Sequence, residues 1–346
     1  MAAQLQPADR ERLDRLRDHV DEVLDDVIPA CSKVALLGWG YDGNVGNHMM
    51  WIAVTDYLRG RGIRIAFASH LNNLHLDRLA SAIGDGPVLF LGGVTMSGLW
   101  GRHRDARRVV AERLPNNQIV SLASTTLYTD DDDREAAGAT FTGHGRTTLI
   151  ARDHRSLRES AEVVGDDVDV VFSHDAAFRL PTQPARRGTG IAWLRRDDLE
   201  AKEFATEIPL PTFDWSNDLA TEVPSAYRWL RLSGVASRLR ATPLGGLLGR
   251  PINAFLVWTY GRVARDLLDR GNEILDEAAV LVTDRMHPHV LCVLRNQPVV
   301  LLPDKFGKNR AVFEASTGEF SRVHWADDVE TAHALALELL DEATAS

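Results

Sequence analysis

Short apolar runs alternate with amphipathic stretches along most of the chain. Lys33–Gly40, Ile63–Ser69 and Pro87–Gly93 are predominantly apolar and end in small or polar residues, which is typical of strands buried on both faces. Between such runs, apolar residues recur every three or four positions, which indicates helices that pack on a sheet. The alternation predicts an α/β fold of parallel sheets covered by helices, as in Rossmann-like domains.

The same pattern divides the chain into segments. An amphipathic helix is predicted over Pro7–Val27, ahead of the first strand, and Leu180–Gly190 has prolines and glycines without periodicity, which indicates a linker. Between Asp198 and Asn253 the pattern is hard to interpret, and helices are placed there only loosely. We therefore predict four segments: an N-terminal helical arm (1–32), a Rossmann-like domain (33–182), a second Rossmann-like domain (183–326) and a C-terminal helix (327–346). Two such domains should face a central cleft, with ligands at the carboxyl ends of the strands.

Composition narrows the class of protein. With 346 residues, 45% of them hydrophobic, the chain can build two packed cores. The 39 Lys and Arg against 49 Asp and Glu leave a net charge of −10, which argues against a nucleic-acid partner. Cys31 and Cys292 are isolated, so a disulfide scaffold is excluded. No signal-peptide core and no run of ~20 apolar residues is found, so we expect a cytoplasmic protein without a transmembrane segment. The oligomeric state cannot be determined from these features.

The richest candidate site follows the predicted strand Ala279–Asp284. Asp284, Arg285, His287 and His289 come directly after it, at the start of a predicted helix. Arginine offers a planar fork to carboxylates or phosphates, and histidine moves protons near neutral pH. A capping aspartate followed by surface polar residues is the alternative interpretation, and we favour a functional site.

Three further candidates lie after other strands. The loop Gly38–Trp51 is glycine-rich, so a ligand could approach its backbone closely, although a tight structural turn fits as well. The loop Leu301–Arg310 holds two of the four lysines and is either a phosphate cradle or a solvated loop. Arg152 ends another strand, where a salt-bridge role is the simpler interpretation. Asp130–Asp133 is interpreted as a solvated loop and not as a metal site.

Together these segments resemble the polysaccharide pyruvyl transferase family. The resemblance covers most of residues 33–325 and follows the family's order. It is carried by Gly43–Asn47 (G-N-x-G-D in the family), Leu91–Gly93 with Gly98–Trp100 (G-G-G…D-L-W), Asn117–Leu122, Ala151–Ser156 (aR-[DE]-x-x-S), Asp175–Phe178 (D-x-A-F), Trp193–Asp197, Gly307–Lys308 and, most specifically, Thr283–His287 (T-D-R-L-H).

The resemblance implies a GT-B-like arrangement and a PEP-dependent transferase. Such an enzyme moves a pyruvyl group from phosphoenolpyruvate (PEP) to hydroxyls of a sugar in a polysaccharide or glycolipid precursor and releases phosphate, without a metal or other cofactor. It implies three groups of residues: Arg285, Arg152, Lys308 and His289 for PEP, His287 with Asp284 for proton transfer, and Gly43, Asn44, Gly46, Asn47 and His48 for the acceptor. By analogy with GT-B proteins, the C-terminal helix is a candidate to pack back on the first domain.

Departures from the family pattern keep other functions open. Asn47 stands where the family usually has Asp, Ala123–Thr125 replaces Pro-Gln-Ser, and Gly92–Val94 shortens the glycine run. A GT-B glycosyltransferase that uses a nucleotide-sugar is the alternative enzyme, and a non-catalytic relative that retains the cleft is a third class. The acceptor is not identified by the sequence, and a lipid-linked acceptor would place the protein at the inner face of the membrane.

Overall fold

The computed structural model describes residues 5–31, 33–94, 96–166, 168–183, 185, 188–206, 208–215 and 219–345. The chain divides into two compact units, and each contains one parallel sheet. The first-sheet unit comprises His19–Ala176 and Asp218–Leu267. The second-sheet unit comprises Met1–Asp18, Ala177–Asn217 and Leu268–Ser346. Three residues of the predicted linker, Pro184, Arg186 and Arg187, lie outside the described residues.

The central strands of the first sheet are buried on both faces. Its strands are β1 (Lys33–Leu37), β2 (Arg64–Ser69), β3 (Val88–Phe90), β4 (Gly93–Val94), β5 (Ile119–Thr125), β6 (Thr147–Ala151) and β7 (Val168–Phe172). Their order is β2-β1-β3-β5-β6-β7, with β4 beside β5, and all pairs are parallel. The predicted strands of this unit are therefore confirmed, with bounds that differ by a few residues.

Helices connect these strands. They are α1 (Pro7–Val27), α2 (Val45–Gly60), α3 (Leu76–Ile83), α4 (Gly101–Arg113), α5 (Asp131–Gly138) and α6 (His154–Val164). The bounds predicted for α1 are confirmed, because its apolar stripe is regular and is buried at Leu13, Leu16, Val20 and Leu24.

The interpretation of the acidic run as a solvated loop is wrong. Asp130 is the N-cap of α5, since its side chain accepts a hydrogen bond from the Asp133 N–H at 2.8 Å. Asp131 and Asp132 lie in the first turn, where negative charge is favourable beside the helix N-terminus. Asp133 is buried and paired with Arg104. Consecutive aspartates thus start a helix here, because three of them meet its positive end.

The segment between Asp198 and Asn253, where the sequence pattern is hard to interpret, is mainly helical. It contains α7 (Leu219–Glu222), α8 (Pro224–Ala241), α9 (Leu244–Leu247) and the start of α10 (Gly249–Leu275). The division between the two units falls within α10, after Leu267, and within α1, after Asp18. The predicted domain boundaries and the GT-B-like cleft stay predictions.

The second sheet has the order β12-β11-β10-β8-β9, and its pairs are parallel. Its strands are β8 (Ile191–Leu194), β9 (Thr212–Phe213), β10 (Val280–Thr283), β11 (Val299–Leu301) and β12 (Val323–Trp325). Its helices include α11 (Met286–Arg295), α12 (Lys308–Val312) and α13 (Val329–Ala345). Ala332, Ala336 and Leu339 of α13 are buried in one core with Val280, Val282 and Val300 of this sheet.

Candidate functional site

The carboxyl end of β10 is fixed by the side chain of Thr283. Its hydroxyl donates a hydrogen bond to the backbone oxygen of Leu194 at 2.8 Å and accepts the Arg285 N–H at 3.1 Å. Arg285 is the residue that precedes α11. The N–H groups of the first helical turn have no intrahelical partners, so this end of the helix favours negative charge. Asp284 and Arg285 therefore lie between the end of β10 and the N-terminus of α11, a position suited to an anion.

Asp284 is a buried carboxyl group with one oxygen free. Only 1% of the residue is exposed, and its Oδ1 accepts the Arg196 N–H at 2.8 Å. Its Oδ2 is buried without a hydrogen-bond partner among the described residues. Burial raises the pKa of Asp284 from 3.8 to about 6, although Arg196 and Arg285 oppose the rise. Asp284 can therefore hold a proton at mildly acidic pH.

Arg285 is buried among carboxylates of its own unit. It pairs with Asp214, and it lies 3.3 Å from Asp198 and 3.8 Å from Asp197. A hydrogen bond to Asp214, together with burial, raises the pKa of Asp197. An anionic ligand would therefore compete with these carboxylates for Arg285. Protonation of the carboxylates would favour binding of the ligand.

Lys308 is held in the same way at the start of α12. It pairs with Glu200, which also lies 2.9 Å from Arg196. The next residue, Asn309, donates hydrogen bonds to the backbone oxygens of Asp284 at 2.6 Å and Leu302 at 3.0 Å. Lys308 and Arg285 thus follow adjacent strands and belong to one network of ion pairs.

The two histidines of α11 differ in environment. His289 is fully buried, and its Nε2 lies 2.9 Å from the Thr317 hydroxyl. His287 is only half-buried in the first turn of the helix. Of the two, His287 is the more exposed, and its role as a proton donor stays a prediction.

Arg152 belongs to the first-sheet unit and makes a buried ion pair. Its guanidinium lies 2.7 Å from Asp175 and donates to the Thr125 hydroxyl at 2.9 Å, and the residue is 2% exposed. This geometry matches the salt-bridge interpretation of Arg152. Its convergence with Arg285 and Lys308 on PEP stays a prediction.

A pocket of about 440 Å³ lies at the carboxyl ends of β1 and β3. Of the predicted acceptor residues, Asn47 lines it, and Gly43, Asn44, Gly46 and His48 do not. Asn44 is the N-cap of α2 and accepts the Gly46 N–H at 3.1 Å. His48 is fully buried, its Nε2 lies 3.0 Å from the backbone oxygen of Asp42, and burial lowers its pKa. Most of the glycine-rich motif therefore shapes the loop, and Asn47 faces the pocket.

The pocket also contains functional groups that the sequence analysis missed. Asp42 lies 3.4 Å from the Asn47 amide nitrogen. His70 and His103 line the same pocket, and burial, followed by the nearby charges of Arg240 and Arg107 respectively, lowers the pKa of each to about 4. His70 immediately follows β2, so its place after a strand was a usable signal. Asp42 and His103 lie farther from strand ends and offered no such signal.

Trp39, Trp51 and Trp100 differ in whether they could offer a ring face to a sugar. Trp51 is buried in the core. Trp39 lines the pocket but is 2% exposed, and it stacks on Tyr260 with ring centroids 4.2 Å apart. Trp100 lines the pocket and is 36% exposed, so it can offer a face to a sugar ring. Within the described part of the chain, no helix is long and apolar enough to cross a membrane, and no group of His, Cys, Asp or Glu is arranged to hold a metal ion.

The fold and the strand-end sites define an α/β protein with two parallel sheets, and comparisons with known proteins are consistent with a transferase. The chain is 19% identical to "Putative pyruvyl transferase EpsO" of Bacillus subtilis, over 83% of this chain and 86% of that protein. It is 22% identical to "Pyruvyl transferase 1" of Schizosaccharomyces pombe, over 80% of this chain and 67% of that protein. These similarities support the family resemblance loosely.

Structural comparison supports the fold. A crystal structure of an uncharacterised protein of Klebsiella pneumoniae is similar with a TM-score of 0.56 and 16% sequence identity, over 90% of this chain and 98% of that one. No protein-family model matches the chain.

Proposed function

We propose that this protein transfers a pyruvyl group from PEP to a hydroxyl group of a sugar in a glycan or glycolipid precursor, with release of phosphate. The observation that carries the proposal is the Thr283–His287 segment, which places a buried acid, an arginine and a half-buried histidine at a strand end and a helix N-terminus. The two relatives named as pyruvyl transferases agree with it.

The donor is assigned to the second-sheet unit. PEP carries a carboxylate and a phosphate, and the buried cations Arg285 and Lys308 are suited to these groups. Because both cations already pair with carboxylates, the charges of PEP would replace Asp214 and Glu200 as their partners. Arg152 is proposed as a further donor-binding cation, and His289 as a group that supports the first turns of α11.

The chemistry requires one proton donor and one proton acceptor. The acid protonates the methylene carbon of PEP, the sugar hydroxyl oxygen bonds to C2, and the hydroxyl proton passes to a base. Departure of phosphate then leaves C2 open to a second hydroxyl, which closes a cyclic ketal and releases its own proton. We assign the acid to His287, which is half-buried, and Asp284 is the second candidate because its pKa of about 6 lets it hold a proton.

The acceptor is assigned to the pocket of the first-sheet unit. Trp100 is proposed to contact the sugar ring, and Asn47 to hydrogen-bond its hydroxyls. We assign the base to Asp42, because it is an exposed carboxylate that lines the pocket beside Asn47. Asp42 would supply the charge that the family usually carries at position 47.

The test is release of phosphate from PEP with a panel of candidate acceptor sugars. His287→Gln should lower turnover by ~100-fold or more while PEP still stabilises the protein against heat. The matched control is His333→Gln, a partly buried position in α13. If His287→Gln retains near-normal turnover, the acid is another residue, and loss of both turnover and PEP stabilisation would make His287 a binding residue.

The same assays separate this proposal from its alternatives. Thermal stabilisation by a nucleoside diphosphate but not by PEP would indicate a nucleotide-sugar glycosyltransferase. Stabilisation by PEP without phosphate release for any acceptor would favour a binding protein.

A further inference from the structure

The helix α8 exposes apolar side chains where a surface helix is normally polar. Leu232, Val235 and Leu239 recur at helical spacing on its exposed face. Its buried face includes Ser233 and Ser237. Its buried face also includes Ala226 and Leu230, so the unusual feature is the apolar exposed face, which is suited to contact with a further apolar surface.

The apolar surface continues into α9 and α10. Leu247 is 84% exposed, and Leu244 and Leu248 on either side of it are also exposed. On α10, Phe255 and Trp258 are exposed. Trp258 packs edge-on against Trp229 of α8, with ring centroids 4.8 Å apart, so the two helices lie side by side. We call the exposed side chains of residues 227–258 the α8–α10 surface.

The α8–α10 surface belongs to a firmly anchored segment. The buried guanidinium of Arg240 donates hydrogen bonds to the Ala68 backbone oxygen at 2.7 Å and to the Asn253 side chain at 3.1 Å, and it lies 4.0 Å from the centre of the Phe67 ring. Arg78 donates to the backbone oxygen of Thr242 at 2.9 Å. The exposure of the leucines is therefore not the result of a loosely held segment.

The charge of this segment is opposite to that of the whole chain. Between Leu219 and Leu267 the sequence has seven arginines and two carboxylates, a net charge of +5 in a protein of net charge −10. Arg228, Arg231 and Arg238 are exposed on α8, beside its apolar stripe. The combination of leucine, tryptophan and flanking arginine is the pattern of helices that lie in the interface of a lipid bilayer.

A groove beside α10 adds a place for an anionic group. It has a volume of about 460 Å³, and no carboxylate lines it. Trp258 and four arginines do: Arg59, Arg64, Arg250 and Arg265. Guanidinium groups bind phosphate oxygens in a planar, bidentate manner, so the groove is suited to the headgroup of an anionic lipid.

We propose that the α8–α10 surface docks on an anionic phospholipid membrane, with Leu244, Leu247 and Leu248 inserted among the lipids and the arginines on the headgroups. A symmetric dimer through this surface would bring two positively charged faces together, which is unfavourable. The apolar centre argues against a nucleic acid, whose binding is dominated by contacts to phosphates. The inference stands on this surface alone and does not depend on the reaction that the protein catalyses.

The experiment is vesicle co-sedimentation of the full chain. Vesicles of phosphatidylcholine are compared with vesicles that also contain phosphatidylglycerol, at low and at physiological salt. We expect binding to the anionic vesicles only, weakened by salt because the contacts are electrostatic. Leu244→Ser/Leu247→Ser should weaken binding more than tenfold, and each of Arg228→Gln and Arg231→Gln by about fivefold.

Matched controls lie in the second-sheet unit. Leu199→Ser and Leu337→Ser also remove exposed leucines, and Arg310→Gln removes an exposed arginine. These variants should bind vesicles like the wild type, and all variants should keep the wild-type circular dichroism. Failure to bind anionic vesicles at low salt would overturn the inference, as would equal losses in the controls. Concentration-dependent dimerisation that Leu247→Ser abolishes, without vesicle binding, would assign the surface to a second copy instead.

Discussion

Replacement of Asp284 by Asn tests whether ionisation of this buried carboxyl group destabilises the folded protein. The Oδ1 of Asp284 accepts the Arg196 N–H, and an asparagine oxygen can keep this bond. The folded-state pKa is about 6 against an ordinary value of 3.8, and burial is the main cause. The folded protein therefore holds this proton to a higher pH than the unfolded chain does.

The sign and size of the effect follow from this difference. The stability that the proton contributes is fully present below pH ~3.8 and is lost as the pH rises through ~6. One pKa unit corresponds to about 1.4 kcal/mol, so ionisation inside the fold costs about 3 kcal/mol in total. About half of this cost, ~1.5 kcal/mol, develops between pH 5 and pH 8. The wild type should lose that amount relative to Asp284→Asn.

The measurement is urea unfolding of both proteins at pH 5 and pH 8, followed by far-UV circular dichroism and by tryptophan fluorescence. Coincident transitions justify a two-state analysis. Costs of the substitution that do not depend on pH, such as a buried amide without an acceptor, cancel when the two pH values are compared. Asp328→Asn is the control, because hydrogen bonds from Thr331 lower the pKa of Asp328 below its ordinary 3.8. Its stabilising effect is lost only below that pH, so the change in stability of Asp328→Asn between pH 5 and pH 8 should match that of the wild type. Equal losses of stability in wild type and Asp284→Asn would refute the reasoning.

Three further changes test other parts of the structure. Arg285→Ala should weaken PEP binding at least tenfold in calorimetry, whereas Arg310→Ala at an exposed ion pair should not, and equal effects would argue against a donor site at Arg285. Asp42→Asn should lower kcat for phosphate release ~100-fold with little change in PEP binding, and unaltered kcat would exclude Asp42 as the base. Arg240→Ala should destabilise the protein by ~2–4 kcal/mol in thermal unfolding, because it leaves the Ala68 oxygen without a buried donor, and a change within ~0.5 kcal/mol would contradict that role.

The parallel sheets could be predicted from the sequence because their central strands are buried on both faces. Such strands are uninterrupted apolar runs, and β1, β3 and β10 lie within the stretches that the pattern indicated. Very short strands such as β9 carry too little sequence to produce a pattern. The helix α8 could be placed only loosely for a different reason, since exposed leucines on one face and buried serines on the other obscure the usual contrast.

The candidate site could be predicted only in part, because sequence motifs identify single chain segments. The Thr283–His287 motif placed Asp284 and Arg285 together at a strand end, and the structure does so. The carboxylates that surround Arg285 come from residues about 70 to 90 positions earlier, such as Asp214, in a stretch without a clear pattern. The electrostatics of the site, and hence the competition that an anionic ligand meets there, required the fold.

The altered glycine-rich motif illustrates why position-by-position comparison misjudges a pocket. Asn47 stands where the polysaccharide pyruvyl transferase family usually has Asp. By itself, this difference suggests that the base of the reaction has been lost. In the fold, the carboxylate of Asp42 lies 3.4 Å from the amide of Asn47, in the loop before α2, and lines the same pocket. Because proton transfer depends on where a charge lies and not on which residue supplies it, a base contributed from position 42 could serve the same hydroxyl group. Asn47 would then orient Asp42 through its amide group, and Asn47→Asp, which places two carboxylates side by side, should impair the enzyme rather than restore it.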